Sequence, residues 1–279
     1  MDKSAHKIQK YCTLCPRNCN IDRKISRGVC GAPDEIIISR VMLHKWEEPC
    51  ISGKNGSGAI FFSGCPLKCV YCQNKKISHF CVGNSVSTKE LAGIMLDLQS
   101  KGAHNINLVT PTHYIDKIAD ALSSIKDELR IPVVYNTSGY ESVDSLSKIA
   151  DHVSVFLTDI KYFSSEASHK YSRASDYYQV AKEAFGAMLK IAGAPKYNAD
   201  GMMTRGVILR HLVLPSLRRD SIAIFEDIAK DFDTSSFVLS LMSQYTPDFC
   251  DDSFPELKRR LTTFEYNSVL SRVCELGYS

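Results

Sequence analysis

Three cysteines within eight residues, Cys65, Cys69 and Cys72, follow closely on the apolar run Ala59-Ile60-Phe61-Phe62, and this junction constrains the fold more than any other feature. The run reads as a short buried strand. It empties into a thiol-rich loop at one mouth of whatever sheet it joins. Soft thiolates grouped in this way suit zinc or an iron-sulfur cluster better than a hard cation. Their number matters, because a closed zinc site and an ordinary cluster each take one ligand more than the loop supplies. Either a distant residue completes the set, or one metal position stays open for a substrate or cofactor.

Beyond the loop the chain settles into alternating strand and helix, which predicts a parallel sheet with helical crossovers. Thr88 is the expected cap of a helix carrying Leu91, Ile94, Met95 and Leu98 on one face. Five more strands are expected at 105–109, 132–135, 153–157, 207–209 and 237–239. Between them lie helices bearing Ile115, Ile118, Leu122 and Ile125, then Leu146 and Ile149, then segments 177–191 and 221–230. A last helix is expected through Leu257, Leu261, Phe264 and Leu270. In such folds the polar work gathers just past the C-terminal ends of the strands. Those positions hold Thr110 and Thr112, then Asn136 and Ser138, then Asp159 and Lys161, then Arg210 and His211, and finally Gln244 and Tyr245. The hydroxyls and amides suit ribose or carboxylate, and a lysine pairs with a carboxylate. Gln244 and Tyr245 are the candidates for substrate contact.

The first fifty residues differ in texture. Cys12, Cys15, Cys19 and Cys30 stand at C-x2-C-x3-C-x10-C on a short segment punctuated by glycine and proline. Too small to make a core, it reads as a metal-stapled extension spanning 1–50, holding zinc or an auxiliary iron-sulfur cluster. A complete set of thiolates with no open position favours zinc. Arg17, Asp22 and Arg23 within it read as solvated surface. A strand at 35–43 ties the extension to the body, 51–279. His44, Glu47 and Glu48 flank the single tryptophan, Trp46, either as turn and surface or facing the active site. Cys50, Cys81, Cys250 and Cys274 fit no spacing and read as buried free thiols.

A chain of 279 residues with 44% hydrophobic content can bury one barrel or doubly wound domain plus a small appendage. The formal charge of +3, from 34 basic and 31 acidic residues, argues against nucleic acid and anionic membrane as partners. No apolar run approaches the roughly 18 residues of a membrane span. The start, Met1 to Lys7, is polar, unlike a signal segment. Eleven cysteines without an export signal point to a reducing, cytoplasmic setting and to metal work. The chain stops at Gly277-Tyr278-Ser279 just after a helix, so a missing closing strand or tail is expected.

The spacing C-x3-C-x2-C at Cys65, Cys69 and Cys72, with residues 56–64 before it and Gln73-Asn74 after it, resembles the cluster loop of the radical S-adenosylmethionine (SAM) superfamily. The wording around it is similar to the pyruvate formate-lyase activating enzyme-like, PflX-type group. The resemblance implies an open partial (β/α)6 barrel with a small N-terminal cysteine-rich metal-binding extension. It further implies that the three cysteines hold a [4Fe-4S] cluster whose open iron is chelated by SAM. Reductive cleavage would then yield methionine and a 5'-deoxyadenosyl radical that abstracts hydrogen, with flavodoxin or ferredoxin as electron donor. The substrate so implied is a glycine in a protein partner, with a peptide or small molecule as alternatives. Residue by residue, Tyr71 takes the place of a side chain that packs adenine. Asp159-Ile160-Lys161 looks like the Asp-x-Lys element lining the SAM site. Arg210-His211 with Pro215 resembles an Arg-His-x-x-x-Pro motif, in which His211 touches SAM or donates a proton. The usual Gly-Gly-Glu is absent, and Thr110 and Thr112 stand in its place, with Asn136 and Ser138 nearby. The competing expectation is a non-catalytic iron-sulfur or zinc protein, an electron carrier or interaction module without SAM affinity.

Overall fold

The computed structural model describes residues 11–278; the polar start at 1–7 and Ser279 lie outside them. Strand β1 (Ile36–His44) pairs antiparallel with β2 (Ser57–Phe62), and short β3 (Asn84–Val86) lines the far edge of β1. From β2 the sheet continues in parallel through β4 (Ile106–Val109), β5 (Val133–Thr137) and β6 (Val155–Asp159). Next, β7 (Lys196–Tyr197) hangs antiparallel on β8 (Met203–Leu212), which itself lies parallel to β6. The last strand, β9 (Val238–Met242), pairs parallel with β8, so the two ends of the sheet stay apart. The strands β2, β4, β5, β6, β8 and β9 therefore form the expected open partial (β/α)6 barrel. Strands covered on both faces must be apolar nearly throughout, and Val133-Val134, Val155-Phe156-Leu157 and Val207-Ile208-Leu209 are all buried.

Alternation along each strand divides these residues between two cores. Tyr135, Phe156, Val207 and Leu209 face the outer helices, whereas Val134, Val155, Leu157 and Ile208 pack together inside the barrel with Ile51 and Met203. The inner set carries Asn136, Asp159 and Arg210 on the same side, one pleat repeat further on. Nine helices clothe the frame among the described residues: α1 (Pro49–Ser52), α2 (Lys75–Phe80), α3 (Thr88–Ser100), α4 (Ile115–Ser124), α5 (Val143–Ser147), α6 (Ser165–Ser172), α7 (Tyr177–Ala192), α8 (Arg218–Asp231) and α9 (Thr263–Glu275). None of them is long and apolar enough to cross a membrane.

Two helix boundaries correct the sequence expectations. Ser87, not Thr88, caps α3: its hydroxyl accepts from the Glu90 N–H at 3.2 Å while the Glu90 carboxylate accepts from the Ser87 N–H at 2.7 Å. Only Ser87 has a glutamate three residues on, as a reciprocal cap requires. The last helix starts later than its apolar spacing suggested, because Thr262 and Glu265 form the same box and Leu257 falls in a separate turn opened by Pro255.

Candidate active site

The loop after β2 is pressed from above by the N-terminal extension. The Cys65 N–H donates to the Cys30 carbonyl at 3.1 Å. Gly64 adopts φ +94°, and a Cβ there would meet Ala32 and the Cys30 carbonyl at 3.0 Å, so glycine is required twice over. Burial pushes the Cys65 thiol up to about 12, with Cys69 and Cys72 adding to the effect. Burial also raises Cys69, opposed first by the nearby Lys161 ammonium. The Ser172 hydroxyl donates to Cys69 Sγ at 3.0 Å and the Ser78 hydroxyl to Cys72 Sγ at 3.3 Å. Hydroxyls aimed at sulfur favour the thiolate form and tune a bound cluster. A mononuclear thiolate site would draw its sulfurs to roughly 4 Å of one another. Among the described residues no three His, Cys, Asp or Glu side chains close on a point in that way. Three soft thiolates that leave one metal position open are a donor set that an iron-sulfur cluster takes.

Beside the loop, the inner faces of three strands meet in one charged network. Arg210 donates from Nε to Asp159 Oδ1 at 2.8 Å, from Nη2 to Asn136 Oδ1 at 2.7 Å, and from Nη1 to Glu47 Oε2 at 3.3 Å. Lys161 Nζ reaches Asp159 Oδ2 at 2.5 Å, and Glu48 stands 4.0 Å from Arg210. Burial works against charge on Asp159, but Arg210 and Lys161 outweigh it and hold the carboxyl below its usual range. At Glu47 burial wins and raises the carboxyl, with Arg210 opposing. Three further polar groups in this interior lack a hydrogen-bond partner: Asn107, through both amide atoms, His44 at Nδ1 and Glu48 at Oε2. The sequence left Glu47, Glu48 and His44 open between turn and active site, and the network resolves Glu47 and Glu48 toward the second; Asn107 was passed over.

The structure thus brings Asn136, Asp159 and Lys161 together next to the cluster loop, and adds Arg210 and Glu47. It does not bring Thr112, His211 or Tyr245 to them. The Thr112 hydroxyl donates to the buried Glu141 carboxylate at 2.6 Å, which Tyr135 and Thr137 also bind. Burial pushes Glu141 up to about 7 against those bonds. Thr110 stays on the rim with φ +59°, and the Ser138 hydroxyl has no partner. The Tyr71 and Tyr162 hydroxyls hydrogen-bond to one another at 2.7 Å, and the Tyr71 ring meets Tyr245 edge-on at 6.0 Å. Tyr245 spends its hydroxyl on the Leu257 carbonyl, while Gln244 is exposed.

His211 sits one residue from Arg210 and so faces the opposite way, toward α8. Its Nδ1 meets the Ile160 carbonyl at 2.6 Å and its Nε2 the Ser221 hydroxyl at 2.8 Å. Burial lowers it to about 4. A histidine kept neutral in the fold contributes stability that is complete above its unfolded value near 6.5 and is lost as pH falls toward 4, up to about 3 kcal/mol. Replacing it with glutamine, which does not titrate, is expected to flatten that dependence. Urea midpoints at pH 8 and pH 5 that differ equally in both proteins would refute it.

The four N-terminal cysteines also lie within one another's field: burial raises Cys15 to about 12, with Cys30 and Cys12 contributing. Cys19 Sγ accepts the Val29 N–H at 3.4 Å. The two arginines read as solvated surface are instead docking groups. Arg17 Nε donates to the Pro66 carbonyl at 2.8 Å, and its other nitrogens to the carbonyls of Ser172 at 2.9 Å and of Arg173. Arg23 binds the His113 and Pro33 carbonyls and lies over the Tyr114 ring. Arg17 is held by carbonyls of the body, and Arg23 ties a carbonyl of the body to one of the extension, contacts that composition alone does not reveal.

The sequence model of the radical SAM superfamily matches residues 59–204. An uncharacterized protein of Methanocaldococcus jannaschii is 31% identical over 276 residues, covering 95% of this chain and 75% of the relative. Among solved structures, SuiB of Streptococcus suis aligns over 76% of this chain with 13% identity and a TM-score of 0.49. The SuiB structure bound to S-adenosylmethionine aligns with a TM-score of 0.46 and 13% identity over 76% of this chain. This chain spans 44% and 42% of those two SuiB chains. The chain belongs to the radical SAM superfamily, and with that membership come a [4Fe-4S] cluster and S-adenosylmethionine.

Proposed function

We propose that Cys65, Cys69 and Cys72 hold the [4Fe-4S] cluster and that the inner network beside them receives SAM. When bound and reduced, the cluster supplies the electron that splits SAM into methionine and a hydrogen-abstracting 5'-deoxyadenosyl radical. The observation that carries this reading is Lys161, whose ammonium stands on the Asp159 carboxylate at 2.5 Å and lies close enough to Cys69 to oppose the rise of its thiol. A cation there, shared between loop and barrel, suits the carboxylate of a methionine moiety. Asn136, Asp159 and the unpartnered Ser138 hydroxyl are the groups we assign to the ribose and amino groups, with Thr110 at the rim. The apolar inner layer of Val134, Val155, Leu157 and Ile208 keeps water from the floor of the site.

In the finer reading, taken from the PflX-type resemblance, the product is a glycyl radical on a protein partner and the electron donor is a flavodoxin or ferredoxin. Asn107, with a free donor and a free acceptor in the interior, suits an amide-bearing substrate such as a peptide segment. The second metal, zinc or an auxiliary cluster, belongs to Cys12, Cys15, Cys19 and Cys30 in this reading. We place the protein in the cytoplasm. The test is to mix anaerobically reduced protein with SAM and measure 5'-deoxyadenosine. Slow release is expected from the wild type, none from the Cys65, Cys69 and Cys72 to Ala triple variant, and some from the Cys12, Cys15 and Cys19 to Ala variant. No product from wild type with an intact, reduced cluster would refute the reading.

A further inference from the structure

Residues 69–71 of the cluster loop are fastened to the end of α6 and to the segment before it at successive positions. The Ser172 hydroxyl donates to Cys69 Sγ at 3.0 Å, the Val70 N–H donates to the Tyr171 carbonyl at 3.0 Å, and the Tyr71 hydroxyl meets that of Tyr162 at 2.7 Å. Tyr162 closes the set, because its hydroxyl also lies 2.8 Å from Ser172 Oγ. Tyr71, Tyr162, Ser172 and Cys69 therefore form an unbroken file of hydrogen bonds that leaves the loop at one residue and re-enters it two residues away. All of them are buried. Tyr162 follows Lys161 directly, so the strand end that sets Lys161 on Asp159 also delivers this phenol to the loop. Its ring is held edge-on against Tyr177 at 5.5 Å, and the Tyr177 hydroxyl is itself fixed on the Ser138 carbonyl at 2.7 Å.

The order of donation in this file is fixed from its sulfur end. A thiolate has no proton to give, so Ser172 donates to it. With that proton spent, the Ser172 oxygen accepts from Tyr162, and the Tyr162 oxygen in turn accepts from Tyr71. The O–H dipoles then all point along the file toward the sulfur, and bonds aligned in series strengthen one another by about 10–30% each. Ser78 has no such backing: it stands farther from its sulfur, 3.3 Å from Cys72 Sγ, and its oxygen otherwise meets only His79 Nδ1 at 2.8 Å. Hydroxyls aimed at a cluster sulfur stabilise the reduced form, which carries one more negative charge, over the oxidised form. We propose that Tyr162 is a positioning residue that, acting through Ser172, aligns a hydroxyl on Cys69 Sγ and raises the reduction potential of the cluster. The inference rests on the cluster assignment at Cys65, Cys69 and Cys72 and gives a task to two residues outside the loop. On reduction one electron passes from a one-electron donor, which is oxidised, to the cluster; no bond is broken, and the hydroxyl protons stay on their oxygens.

The experiment is a potentiometric titration of the cluster-loaded protein with dithionite and viologen mediators, the reduced cluster being read by electron paramagnetic resonance and by bleaching. Ser172→Ala is expected to lower the one-electron reduction equilibrium constant about tenfold, which corresponds to ~59 mV. Tyr162→Phe keeps the ring and removes only the hydroxyl; it is expected to lower the constant about threefold, because Ser172 still reaches the sulfur but without its donor. Tyr278→Phe deletes a buried hydroxyl that donates to the Phe225 carbonyl on α8, and it is expected to match the wild type. A purely structural role would lower the urea midpoint of metal-free Tyr162→Phe protein while leaving its potential, once loaded, at the wild-type value, and that pair of results would overturn the relay. A Ser172→Ala potential equal to that of the wild type would overturn it as well. Folded wild-type protein that takes up no cluster on anaerobic reconstitution would instead overturn the cluster assignment on which the relay rests.

Discussion

Replacing Arg210 with methionine is expected to destabilise the protein by about 3–5 kcal/mol, the cost of leaving buried charges without their partner. Among the described residues Arg210 is the one cation that reaches Asp159, Asn136 and Glu47 together. Without it Asp159 keeps only Lys161, and Glu47 keeps only a long bond from Asn136 at 3.4 Å. The loss also has a pH signature. In the wild type Arg210 and Lys161 hold Asp159 below its ordinary value, so its contribution is present above that ordinary value and is lost as pH falls. In the variant Glu47, already raised by burial, loses the main charge that opposes the rise, and its folded carboxyl moves further above the unfolded value, so stability is lost as pH rises through that value. The deficit, read from urea midpoints, is therefore expected to be larger at pH 8 than at pH 5. Adding Glu47→Gln to Arg210→Met removes a second stranded charge and is expected to recover part of it. An unchanged midpoint in the single variant would mean that the network carries no stability.

This network also marks where the sequence stopped being legible. The parallel strands were readable because each is a run of apolar residues long enough to be buried on both faces, and the cluster loop because its cysteines are close in sequence. Glu47 and Arg210 are 163 residues apart, and only the tertiary fold makes them neighbours. Strand alternation would have separated Arg210 from His211, since Asp159 and Arg210 are register partners and must share the inner face. The motif resemblance drew attention to His211 instead, which the pleat turns toward α8. Helix α6 was missed for a different reason: its sequence Ser165–Ser172 is mostly polar, with no apolar periodicity to detect. Its stability comes from its ends, where Ser164 caps the start and a guanidinium from the extension caps the finish.

That guanidinium supplies the second large effect: substitution of Arg17 by alanine is expected to make the cluster labile without abolishing the fold. Arg17 lies between Cys15 and Cys19, yet its side-chain hydrogen bonds all leave the extension. One goes to Pro66 inside the cluster loop, and two go to the last carbonyls of α6, which have no partner within the helix. Its guanidinium also rests 5.2 Å over the Tyr140 ring. The two segments it grips meet again at Cys69, because Ser172 at the end of α6 is the residue whose hydroxyl donates to Cys69 Sγ. Each charge-assisted bond lost costs about 1.5–3 kcal/mol locally. About 1.4 kcal/mol already raises the open population of a loop tenfold. Iron release to a chelator from the cluster-loaded Arg17→Ala protein is accordingly expected to be at least about tenfold faster than from the wild type. Arg17→Lys keeps the charge at the helix end but cannot span both segments with one planar fork, so it is expected to recover only part of the loss. A role confined to folding would shift the urea midpoint while leaving iron release and the visible spectrum of the native protein unchanged. Equal release rates in all three proteins would show that the extension does not hold the cluster loop in place.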